Sequence, residues 1–260
     1  GNDVRPVGSR RGLAAPARFE LEGVHRTDLP EASGLAFLGR DKGFLVVGDA
    51  DRAVFHLAVK GGEVTTAAWE PPGGRKQLEG LEGVAYDADR GEVLVVSESR
   101  ARVARMPLER NGVGEAENLG DMPDIVGKRN KGWEGLAHLP ARLSADGREH
   151  LLAVHEGNPR RLAILGREDV REEAMLPFPA EALRVLKDVS DVTVDPRTGH
   201  VFALTDEGNA VVQLNLVAET RPREGGRPRT TWRLEHVGTQ ELPAPKGKHP
   251  KAEGLAFDDK

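Results

Sequence analysis

Seven acidic residues recur at matched places in this chain of 260 residues. Glu82, Glu134 and Glu253 each stand before a glycine, in Leu81-Glu-Gly-Val-Ala-Tyr86, Trp133-Glu-Gly-Leu-Ala-His138 and Ala252-Glu-Gly-Leu-Ala-Phe257. Asp49, Glu98, Glu156 and Asp206 each close a short apolar run, such as Leu94-Val-Val-Ser-Glu98. Carboxylates gathered in one place can hold a hard cation such as Ca²⁺, which takes several oxygen ligands in irregular geometry. They can also serve as an acid and base pair. Either way, crowded carboxylates cannot all stay ionised without compensation.

The elements that must position them repeat. Related phrases occur at Glu31-Ala-Ser-Gly-Leu-Ala-Phe37 and Val189-Ser-Asp-Val-Thr-Val194, so five copies align on Gly34, Gly83, Gly135, Asp191 and Gly254. The intervals are 49, 52, 56 and 63 residues, a period that marks a repeat architecture. After each of the first four phrases come a second and a third apolar run rich in Val and Leu, bounded by Gly, Asp, Asn and Pro, which reads as successive strands. About four antiparallel strands per repeat is the pattern of a propeller blade, and five copies predict a five-bladed, all-β propeller. In an antiparallel pair the start of one strand and the end of the next share an edge. Both sets of acids are therefore expected at one mouth of the central channel, with Ser33 and Ser190 in the slots where the first and fourth phrases lack Glu.

Residues 1–17, rich in Arg, Gly, Pro and Ala, read as a flexible leader, and residues 18–260 as one propeller domain. The last phrase ends at Phe257 and the chain at Lys260. The fifth blade is thus expected to be incomplete, by truncation, with Arg18-Phe-Glu-Leu-Glu22 as its closing outer strand. A net charge of −5 argues against a nucleic-acid partner. The absence of cysteine removes disulfides, thiolate zinc sites and thiol nucleophiles. No apolar run reaches the roughly 20 residues of a membrane-spanning helix.

Three things can compensate the acids. Calcium can sit among them, favoured over zinc because the eight His are scattered. Arg100, Arg160 and Arg161, just past two of the acids, can pair with them. Or the glutamates can merely accept backbone N–H bonds from neighbouring blades, with Gly there for close approach. Basic residues precede three of the phrases: Arg75 and Lys76; Lys128, Arg129 and Lys131; and a stretch that includes Lys248. On the acidic face they would form a cationic collar suited to a small anion; the plainer reading is a solvated surface. No Gly-x-Ser-x-Gly elbow, Walker A loop, His-Glu-x-x-His or dinucleotide glycine motif occurs. Pro179 to Lys187 reads as a short amphipathic helix.

Lys131-Gly-Trp-Glu-Gly-Leu-Ala-His138 with His155-Glu-Gly-Asn-Pro159, Leu186 to Val194 with Ala203-Leu-Thr-Asp206, and Lys251 to Phe257 resemble the SdiA-regulated, YjiK-like proteins. The resemblance runs from about residue 18 to the end. It implies a five-bladed propeller in a bacterial protein that is periplasmic or extracellular, or anchored to a membrane by a removed N-terminal segment. It does not imply a biochemical activity. Two functions are carried forward. One is a calcium-binding propeller that acts as a binding or sensing module for a small anionic ligand. The other is a metal-dependent hydrolase of phosphoesterase, phytase-like esterase or lactonase type, with a spare carboxylate such as Glu156 as base. A monomer is expected.

Overall fold

Runs such as Leu45 to Gly48 and Val93 to Ser97 are buried at consecutive positions, on both faces of their strands. A strand buried on both faces must be packed between two other sheets, as in a propeller blade. The computed structural model describes residues 4–6, 16–20, 22, 25, 27–29, 31–48, 53–74, 76–125, 132–207, 209–243 and 253–259. Val4–Pro6 is β1. Blade one is β2 (Ala32–Phe37), β3 (Phe44–Gly48), β4 (Val54–Lys60) and β5 (Glu63–Trp69). Blade two is β6 (Leu81–Asp87), β7 (Glu92–Ser97), β8 (Arg102–Glu109), β9 (Gly112–Val113) and β10 (Glu117–Asp121). Blade three is β11 (Trp133–Leu139), β12 (His150–His155), β13 (Arg161–Gly166) and β14 (Glu172–Pro177). Blade four is β15 (Asp191–Val194), β16 (Val201–Thr205), β17 (Ala210–Arg221) and β18 (Arg229–Glu241), with β1 paired to the far part of β17. All pairings are antiparallel.

The cores lie between blades. Leu45, Leu81 and Met106 fill the space between blades one and two, Trp133, Leu94 and Leu151 that between two and three, and Leu162, Val192 and Leu214 that between three and four. The first strand of each blade is innermost, with β2 against β6, β6 against β11 and β11 against β15. The phrase glycines make this possible. A Cβ on Gly34 would stand 3.0 Å from the Gly83 Cα, and one on Gly83 2.9 Å from the Gly135 Cα. One on Gly135 would meet the Asp191 Cα at 2.8 Å. The axis is therefore narrowed there to backbone contact.

The expected five-bladed count is corrected to four β-sheet blades among the described residues. The fifth phrase, residues 253–259, is extended but has no ladder partner, and a blade needs a second strand to pair with the first. It still lies beside the inner strands, with Gly254 against Leu35 and Gly34 and the Leu255 N–H donating to Asp191 Oδ2 at 2.8 Å. Arg18 to Glu22 is not a closing strand either. Phe19 is held by side-chain bonds instead: its N–H donates to Gln240 Oε1 and its carbonyl accepts from Gln240 Nε2. Its ring packs on Phe202 and Phe257, which stand 4.8 Å apart at their centroids. The expected helix is one turn, α1 (Ala180–Leu183), with Ala182 buried. Of the expected leader, Val4–Pro6 is β1, while residues 1–3 and 7–15 lie outside the described residues. No helix among the described residues is long and apolar enough to cross a membrane.

Candidate functional site: an acidic mouth on the propeller axis

The glutamates of the phrases sit on β-bulges. In blade two Leu81 pairs with Ser97 and Gly83 with Val96, which leaves Glu82 as the extra residue. In blade three Trp133 pairs with His155 and Gly135 with Val154, which leaves Glu134. Ser33 holds the same place in blade one. A bulge kinks its strand and re-aims the unpaired side chain. The second acids follow directly at the ends of the neighbouring strands. The Glu98 N–H donates to the Gly80 carbonyl and the Glu156 N–H to that of Gly132, both at 2.8 Å, so the two hairpins end alike.

This local geometry brings four of the expected acids together across two blades. Glu134 is half-buried and hydrogen-bonds to Glu82 and Glu156. Burial, reinforced by the charges of Glu156, Glu82 and Glu98, pushes its carboxyl up to about 9. Glu156 is raised as well, by burial and then by Glu98 and Asp188. A proton held on Glu134 thus removes one negative charge from the cluster in the metal-free molecule. Glu98 also reaches across blades, its Oε1 accepting from Gly132 N–H at 3.0 Å.

Asp188 is the member that sequence reasoning missed. It adds blade four to the mouth and accepts from Thr205 Oγ1 at 2.6 Å and from Glu207 N–H at 3.1 Å. Its place two residues before Ser190, matched by Glu31 two residues before Ser33, could have pointed to it. Glu253 begins the fifth phrase and Asp206 follows β16, the positions expected of them, but neither is among the charges acting on Glu134 or Glu156. Asp49, Arg75, Lys128, Arg129, Lys131 and Lys248 lie outside the described residues; Lys76 is exposed in the turn before β6. The expected arginine compensation takes another form. Arg100 pairs with Glu79 at 2.9 Å, Arg160 donates to the Lys187 carbonyl and Arg161 to that of Arg160.

Two acid–imidazole–acid groups lie outside the mouth, Asp87–His138–Glu149 and Asp146–His150–Glu173, each with ligand atoms within 4.8 Å of one another and so able to hold a metal. The first already carries two guanidinium groups: Arg167 Nε at 2.9 Å and Arg90 Nη1 at 3.0 Å from Asp87, and Arg90 Nη2 at 2.5 Å from Glu149. Burial opposes ionisation of Asp87, yet the His138 charge and the Arg167 bond hold its carboxyl below the usual range. In the second, the ring of fully buried His150 stands between the two acids, 2.9 Å from Asp146 and 2.7 Å from Glu173. The mouth gathers carboxylate oxygens from several segments, the donor type a hard cation prefers.

Among solved structures, the chain is similar to one in a nidogen/laminin complex, at 15% identity over 86% of this chain and 84% of that one, with a TM-score of 0.49. It is similar to a calcium-binding protein, regucalcin, from Agrobacterium tumefaciens, at 15% identity over 72% and 52% of the two chains and a TM-score of 0.43. It is also similar to a 6-phosphogluconolactonase-type protein from Bacteroides uniformis, at 11% identity over 78% and 55% and a TM-score of 0.40. The model of one protein family, SdiA-regulated, matches residues 17–260, and this chain belongs to that family.

Proposed function

We propose that the acidic mouth binds a calcium ion and that the propeller works as a binding or sensing module for a small anionic ligand held against that ion. The observation that carries the reading is the group of Glu82, Glu98, Glu134, Glu156 and Asp188, drawn from three blades, in which Glu134 is forced to keep its proton. A site that costs this much to ionise gains from a divalent cation what it now takes from a proton. The donors are all oxygen, the type calcium takes; among the described residues only the two acid–imidazole–acid groups have three ligand atoms within 4.8 Å of one another, so the mouth acids would draw together around the ion. When bound, the ion would supply a positive charge for the anion, and the basic residues before the phrases would surround it. An exported setting agrees with a site of modest affinity, since extracellular calcium modules work at roughly 0.1–1 mM.

One observation favours the hydrolase as the second reading. Glu156 is raised and lies beside Glu134, so a proton can pass between them, as a general base requires. The test of the main reading is a calcium titration with a thermal melt in calcium and in chelator. Calcium should raise the melting temperature, and Glu134→Gln should abolish the rise. A melt indifferent to both calcium and chelator overturns the proposal. Turnover of a phosphodiester, phosphomonoester or lactone would move the reading to the hydrolase.

A further inference from the structure

The five phrases share a second feature that the acidic mouth does not use. Three residues past the aligned position stand Phe37, Tyr86, His138, Val194 and Phe257. All five line one cavity of about 290 Å³ at the other end of the inner strands. At about 3.3 Å per residue, His138 lies some 13 Å along its strand from Glu134, with the tight belt of Gly34, Gly83, Gly135 and Asp191 between the two ends. The volume is at the low end of the range for ligand pockets, and most of the remaining wall is alkyl, from residues such as Leu35, Val84 and Leu136.

His138 is the exception in this collar. Its side chain is only 7% exposed, and Nε2 lies 2.9 Å from Glu149 Oε2 and 3.7 Å from Asp87 Oδ2. Glu149 is itself held below the usual carboxylate range, first by its bond from Arg90. An ionised carboxylate can only accept, so Nε2 carries a hydrogen toward Glu149 and Nδ1 is the ring's remaining polar atom. Nδ1 makes no hydrogen bond among the described residues. The network of Arg90, Glu149 and Asp87 thus orients one ring nitrogen at a cavity whose wall is mostly alkyl and aromatic. The rim includes Asp89, Asp258 and Asp259, the last paired with Arg40 at 3.2 Å, against a single lining arginine, Arg142. That balance disfavours an anion.

We propose that this cavity binds a small neutral molecule with an aromatic or alkyl body and one hydroxyl, which hydrogen-bonds to His138 Nδ1. The site is separate from the acidic mouth and does not depend on the calcium reading. The test uses the whole chain and two probes of one shape, 2-naphthol and 2-methylnaphthalene, by titration calorimetry. The expected result is saturable binding of both, with 2-naphthol about tenfold tighter, the upper end of what one neutral hydrogen bond contributes. His138→Phe should make the two probes equal. Ala88→Trp, at an exposed lining position, should block both, and a chelator should change neither. Equal affinity of the two probes for the unaltered chain overturns the proposal without any variant. So does absence of saturable binding, a naphthol preference that survives in His138→Phe, or binding untouched by Ala88→Trp.

Discussion

Calcium uptake at the mouth should expel a proton, and the size of the effect follows from one residue. Burial and three neighbouring acids push Glu134 up to about 9, so at pH 7 only about one molecule in a hundred has it ionised. A divalent cation binds the ionised form, so each ion bound near neutrality should release about one proton. Apparent affinity should then fall about tenfold for each pH unit, or about 100-fold from pH 8 to pH 6. Calorimetry in PIPES and in Tris, whose protonation enthalpies differ, counts the protons directly. The same residue sets a sign for stability. Its folded value lies above its ordinary value of 4.5, so the folded chain binds more protons than the unfolded one between those limits. The contribution of Glu134 to metal-free stability should be greatest below the ordinary value and fall as the pH climbs toward 9, by at most on the order of 3 kcal/mol at pH 7. Glu134→Gln should therefore raise the metal-free melting temperature at pH 8 while erasing the response to calcium. An affinity that stays flat from pH 6 to pH 8, with no proton release, would refute the reasoning. So would a Gln variant that is less stable than the original at pH 8 without metal.

Other outcomes follow from the packing. Gly83→Ala places a methyl 2.8 Å from Leu136 N and 2.9 Å from the Gly135 Cα, backbone that cannot step aside; it should cost about 1–3 kcal/mol in denaturant unfolding, and an unchanged midpoint would mean the blades can separate there. Asp191→Ala leaves the N–H groups of Val192 and Leu255 without their acceptor and should cost about 1–3 kcal/mol, with amide exchange at Leu255 accelerating first; unchanged protection at Leu255 would count against the latch. Arg167→Met takes from fully buried Asp87 one of its two guanidinium partners, the one at 2.9 Å, and leaves Arg90 at 3.0 Å; it should cost about 1–3 kcal/mol at pH 7. Because Asp87 is held below the usual range, its contribution is present at neutral pH and lost as the pH falls through its folded value. The penalty should therefore shrink at pH 3, and an equal penalty at both pH values would place the effect in packing instead.

The repeat and its chemistry were legible in the sequence because the axis of a propeller imposes identical demands on each inner strand. Glycine recurs where backbones touch, and a carboxylate recurs just before it where the strand bulges. Spacing alone places seven acids at one edge, and of these Glu82, Glu98, Glu134 and Glu156 act on one another. The blade count was less secure, because a phrase records only an inner strand. The fifth copy satisfies the axis through Gly254 and Leu255 without building a sheet among the described residues. Arg18 to Glu22 has the alternation of a strand, but pairing depends on a partner's free edge, and at Phe19 the partner is the Gln240 side chain. Asp188 joins the mouth through the turn between α1 and β15, and no periodicity reports where a turn delivers a side chain. Likewise, one aromatic slot of the phrase holds His138 while residues 80 positions apart, Asp87 and Arg167, surround it with charge. Local pattern determined which residues face the axis; the contacts between blades decided which of them share a proton, which are paired with arginine, and which ring nitrogen is left facing a cavity. Those outcomes depend on distances of a few ångströms between segments far apart in the chain, and a linear repeat does not encode them.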